Sequence, residues 1–231
     1  MSFLTAIGTI GACVVALVIA LFGKRLEHVF YHPDLDLDAV IRRPEAIKVG
    51  RWQKVSDTEF RPIRDAWFFR LAITNHENAP ALDVQVFLKK VEKLDGTGVD
   101  RFSPMNLRWT NSGETNRRVL LRDVPVFCDF IHVGDPDWRS KSGEDLETVP
   151  QGRAVMCLDV EATNTSRGHL LEPGAYNFHL VLAAENFTGR PFVVEVRYDG
   201  MWYADQAQMF DREIGFRMKS CIAVTSTGVY R

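Results

Sequence analysis

Cysteine is scarce in this chain, with four in 231 residues and no CxxC pair. Cys13 falls inside an apolar run, and Cys128, Cys157 and Cys221 are too few and too scattered for a disulfide framework. Excess positive charge is also missing. The 28 basic residues stand against 30 acidic ones, a net charge of −2, so there is no electrostatic footprint for a nucleic-acid polymer. The motifs that carry chemistry are absent as well: no GxSxG, no HExxH, no phosphate-cradling GxxxxGKS/T and no Cys–His pair close in sequence. No repeat and no convincing helical period occurs beyond residue 48. These absences point away from an enzyme, imply no cofactor and assign no metal.

What is present is a single uncharged run, Phe3 to Phe22 (FLTAIGTIGACVVALVIALF), followed at once by Lys24 and Arg25. Twenty residues at ~1.5 Å rise make roughly 30 Å of helix, the thickness of a bilayer's hydrocarbon core. The run exceeds a signal-peptide core of about 7–15 residues, and nothing basic precedes it. It reads as a permanent anchor over 1–23. Lys24, Arg25, Arg42 and Arg43 all follow it, so the positive-inside rule keeps the C-terminal part in the cytoplasm. The sequons Asn164-Thr165-Ser166 and Asn186-Phe187-Thr188 would matter only on a secreted domain. The expected address is the inner (plasma) membrane, with a single pass and the lipid bilayer as first partner.

Lys24 to His32 contains no helix breaker before Pro33, which extends the anchor as a juxtamembrane helix. With the mixed-charge stretch PDLDLDAVIRRPEAIK it forms a connector over 24–48. Beyond that the texture becomes strands. Ala66 to Asn75 and Leu82 to Val91 are rich in β-branched and aromatic residues, with Val84, Val86 and Leu88 alternating against Asp83, Gln85, Phe87 and Lys89. Further strands are expected over 117–121, 124–133, 154–163, 176–184, 192–198 and 212–218. Asp95-Gly96, Gly134-Asp135-Pro136, Pro173-Gly174, Thr188-Gly189 and Asp199-Gly200 read as the turns between them. Residues 49–231 therefore form a mainly β domain, an antiparallel sandwich, with a closed β-barrel as the alternative.

The unit RLAITNHENAPALDVQVFLKKVEK, together with LRWTNSG, VPVFCDFIHV, LEPGAYNFHLVLAAEN and YDGMW, resembles uncharacterised bacterial membrane-anchored proteins with an immunoglobulin-like β-sandwich. The likeness covers most of residues 66–218 and rests on strand and turn texture. It implies the immunoglobulin-like fold and carries no catalytic residues.

Candidate sites are sparse. Gly8, Ala12, Ala16 and Ala20 recur at four-residue steps, a small-residue strip that would let two anchor helices pair into a homo-oligomer, although Gly and Ala are common in membrane helices anyway. Asp34, Asp36, Asp38, Ile41 and Glu45 fall at calcium-loop positions, but Ala39 replaces the turn glycine and Pro44 blocks the outgoing helix. The simpler reading there is an acidic, solvated linker. Cys128 and Cys157 lie in apolar strand text as inert thiols. His132 and His179 read as structural histidines, and Asp129 and Asp159 as outward-facing or turn-capping. Trp138, with Arg139 in the long loop 134–152, and Trp202-Tyr203 after a turn form the candidate binding surface, unless they fold back over the core edge. Arg139, Lys141 and Arg153 would meet an anionic partner or only solvate the loop. The function expected is a tethered, non-catalytic interaction module with a protein partner. A ligand-gated effector sensing a small anionic signal, such as a nucleotide, is the alternative.

Overall fold

The computed structural model describes residues 16–17, 32–54, 56, 58–99, 101–139, 143–162 and 167–219. The expected anchor and most of the juxtamembrane helix fall outside them. Of the small-residue strip only Ala16 is described, helical and exposed beside Leu17. Among the described residues no helix is long and apolar enough to cross a membrane.

Thirteen strands follow: β1 (Leu35–Asp38), β2 (Ala46–Lys54), β3 (Phe60–Asn75), β4 (Ala81–Lys93), β5 (Met105–Asn106), β6 (Arg108–Trp109), β7 (Asn116–Leu120), β8 (Val126–Gly134), β9 (Met156–Leu158), β10 (Leu170–Leu171), β11 (Gly174–Ala184), β12 (Phe187–Tyr198) and β13 (Ile214–Lys219). They make two antiparallel sheets. The larger runs β1-β3-β8-β9-β10, with β2 also on β3 and β6 on β8; the smaller runs β13-β12-β11-β4-β5, with β7 on β4. The sheets face one another without closing into a barrel, so the barrel alternative does not hold.

Alternation explains which faces meet. Val84, Val86 and Leu88 are fully buried while Asp83, Gln85 and Lys89 are exposed, as the period of two requires. A bulge opposite His179 and Leu180 leaves Lys89 unpaired and returns Val91 to the core. Rings from both sheets interlock at the centre. Phe130 of the larger sheet meets Phe178 of the smaller edge-on at 5.0 Å, and Phe216 lies 5.4 Å from Phe69. Burying each such side chain stabilises the fold by about 1.5–3 kcal/mol.

The expected connector is partly sheet. Leu35 and Leu37 are buried and pair through β1 with Asn75 and Ile73, and β2 begins at Ala46, so the sandwich starts before residue 49. The same alternation removes the calcium loop. An extended strand turns Asp36 and Asp38 outward, Asp34 pairs with Arg190 at 2.9 Å, and Glu45 is buried beside Arg42. The Thr188-Gly189 turn is also corrected. Both residues lie in β12, and the chain reverses at Glu185-Asn186, where Asn186 receives the Leu82 amide and donates to the Pro80 carbonyl.

Candidate functional site: the loop-covered face of the larger sheet

A bulge in β8 sets this face. Phe69 pairs with Ile131 and Arg70 with Asp129, so Phe130 has no partner across the strand. Phe130 and Ile131 both join the core, and the shift in parity turns His132 outward. Cys157 of β9 stands opposite His132, and Asp159 follows two residues later on the same face. From β3, Phe68 stacks on the His132 ring at 5.0 Å with 22° between planes.

The chain after Gly134 folds over this face. Leu146, Val149 and Val155 pack with Cys157 and Leu170 into a small second core. Arg139 holds the loop together, donating to the carbonyls of Val149 (2.8 Å), Pro150 (3.1 Å) and Arg153 (2.8 Å), and pairing with Asp145. Glu144 reaches down from the loop. One oxygen lies 3.4 Å from His132 Nε2 and the other pairs with the Arg64 guanidinium, whose side chain is buried. Arg64 fits because position 134 is glycine: a Cβ there would collide with the guanidinium.

His132 Nδ1 lies 3.0 and 3.1 Å from the two oxygens of Asp159. A carboxylate only accepts, so Nδ1 carries a hydrogen towards Asp159, and Nε2 is the ring nitrogen on the Glu144 side. One atom each from His132, Glu144 and Cys157 lie within 4.8 Å of one another, a nitrogen, an oxygen and a sulfur suited to a metal ion. Next to them, Asp129 accepts from Thr110 Oγ1 (2.7 Å) and Arg70 Nε (3.1 Å). Burial raises the Asp129 carboxyl above its usual range, and these two donors only partly oppose it. Burial likewise lowers the His169 imidazole, helped by the nearby His132 and Arg167.

As a nucleophile, Cys157 is poorly placed. It is 1% exposed, and a substrate would have to displace the loop to reach it. Cys128 points into the main core, where burial pushes its thiol well above the usual value.

The other expected site residues sit at the same end of the sandwich. Trp138 ends a short 3₁₀ turn, Pro136–Trp138, and Arg139 follows it. Arg139 is buried inside the loop, where it fixes the loop's shape. Trp202 and Tyr203 are half-buried against the core edge, and the Tyr203 carbonyl accepts from Trp67 Nε1 at 2.8 Å. They fold back because the open end of the core, at Trp67 and Phe210, offers apolar contact that solvent does not. Sequence reasoning had set His132, Cys157 and Asp159 aside and had not singled out Arg64 or Glu144. The legible signal was Cys157-Leu158-Asp159, two polar side chains on one face of a strand.

Elsewhere, an open cleft of about 490 Å³ runs between β1 and the β12–β13 edge, lined by Asp36, Asp38, His76, Arg190 and Lys219. Comparison with models of known protein families, with characterised proteins and with solved structures finds no match for this chain.

Proposed function

We propose that this chain is a non-catalytic interaction module tethered to the inner membrane. It would hold an immunoglobulin-like sandwich in the cytoplasm, with the loop-bearing end offered to a protein partner. The observation that carries this reading is the uncharged run Phe3 to Phe22, which ends only 13 residues before β1.

The geometry at the entry point supports it. The Asp34 amide donates to Asn75 and the Asp123 amide to the Asn75 carbonyl, so the chain joins the sandwich beside the turn between β7 and β8. Val119 (44%) near the end of β7 and Leu121 (61%) and Val124 (51%) in that turn are exposed, apolar side chains suited to the interfacial layer of a bilayer. β3 then runs the length of the larger sheet, so the covered loop after Gly134 lies at the far end. An anionic signal at that end would need cations. Lys141 lies outside the described residues; Arg139 and Arg153 donate to carbonyls within the loop and at Asp199, which supports the module reading.

The test is native mass spectrometry of the full-length protein taken gently from its own membranes. A co-purifying protein at fixed stoichiometry is the expected result. A small ligand retained on an oligomer would replace this reading with the sensor, and a bare monomer would overturn both.

A further inference from the structure

We infer that His132, Glu144 and Cys157 form a binding site for a divalent transition-metal ion of the zinc class, with Asp159 as the residue that positions His132. The ion would clip the long loop to the larger sheet. This inference stands apart from the proposed tether and partner.

The donor set fits the chemistry. Zinc takes thiolate sulfur at about 2.3 Å, imidazole nitrogen at about 2.0–2.1 Å and carboxylate oxygen at about 2.0–2.2 Å, usually in a tetrahedron. Those bond lengths put ligand atoms roughly 3.3–3.8 Å apart. His132 Nε2 and Glu144 Oε1 are already 3.4 Å apart, and all three ligand atoms lie within 4.8 Å of one another. Closing onto an ion requires the three atoms to draw together by no more than about 1–1.5 Å. The other two ligands are fixed by strand pairing, since His132 and Cys157 are cross-strand partners.

The surroundings resemble a built site more than a chance meeting of side chains. A metal-bound histidine typically donates its other ring N–H to a carboxylate, which fixes both tautomer and ring direction. Asp159 accepts from Nδ1 in this way, and Phe68 stacks on the ring. Arg64 pairs with one Glu144 oxygen, and the other, Oε1, is the one nearer His132.

The donor charges suit a dication. With Cys157 as thiolate, Cys157 and Glu144 bring two negative charges to the ion, and binding releases the thiol proton. His169, whose carbonyl accepts from the Leu158 amide, stands outside this three-atom group, so the fourth position is left to water.

The experiment uses the full chain in detergent, stripped with chelator and titrated with Co²⁺ as a spectroscopic stand-in. The expected result is one equivalent bound, with a thiolate-to-cobalt charge-transfer band and tetrahedral d–d absorption. Cys157→Ser should remove the band. Asp159→Asn, which keeps all three ligands, should weaken binding 10- to 100-fold while retaining the band. Cobalt bound without a thiolate band, or affinity unchanged in Asp159→Asn, would overturn the site. So would the absence of stoichiometric binding to the wild-type chain, which needs no variant to fold.

Discussion

The two faces of β8 and β9 are both buried, but by opposite chemistry. Towards the smaller sheet, Phe130, Ile131, Val133, Met156 and Leu158 pack into a continuous apolar core. Towards the loop, Asp159, His132, Glu144 and Arg64 lie in a chain of close polar contacts, with Cys157 beside them. Apolar burial is non-directional and tolerates exchange at constant volume. A buried polar cluster depends on each partner being present, because a single deletion strands a charge. The contrast separates what folds the sandwich from what shapes its end.

The largest effect should come from the apolar face. Phe130→Ala is expected to cost about 3–5 kcal/mol, read as a lowered denaturant midpoint of the full chain. Next comes Arg64→Met, which leaves the buried Oε2 of Glu144 without its guanidinium and should cost about 3 kcal/mol. Adding Glu144→Leu should recover most of that loss. Additive losses in this double-mutant cycle would show that the two groups do not act as a pair. Gly134→Ala should cost about 1–3 kcal/mol by pushing Arg64 aside. Its signature would be faster hydrogen exchange in residues 143–152, with the β4–β11 ladder unchanged.

The smallest effect belongs to an outer-face cluster that lacks a covering loop. Glu92 meets Lys90 and His179 (2.8 Å), and their hydrogen bonds, Lys90's first, hold its carboxyl below the usual value. A group lowered on folding adds stability above its unfolded pKa and loses it as pH falls through the folded value. Glu92→Gln should therefore flatten the acid limb of a stability profile below about pH 5 by under ~1 kcal/mol. An unchanged limb would place the acid sensitivity elsewhere.

The sequence made the inner faces legible because a period of two survives in Val84, Val86 and Leu88 whatever else surrounds them. It also marked Asp95-Gly96 and Asp199-Gly200, where glycine takes positive φ. Leu35-Asp36-Leu37-Asp38, expected as part of an acidic, solvated linker, is an edge strand, because four residues of alternation are too short to stand out beside the mixed charges that follow. Gly189 misled for a different reason. It sits inside a strand, where a Cβ would press on Val181, and the reversal falls to Asn186. Of the polar cluster, only Cys157-Leu158-Asp159 leaves a trace in the sequence. Its members come from residues 64, 132, 144, 157 and 159, and the β8 bulge reverses the facing that simple alternation would give His132. Trp202 and Tyr203 are half-buried against the core edge, the alternative that the sequence holds open beside a binding surface.

Attachment of the sandwich to a membrane is the account's central claim, and fractionation tests it most directly. Membranes carrying the full-length chain would be washed in alkaline carbonate beside a variant with Val14→Arg and Val18→Arg in the apolar run. The native chain should stay in the pellet and the variant should be released. A native chain that washes off as readily as the variant would contradict the tether, and with it the reading of this protein as a membrane-held module.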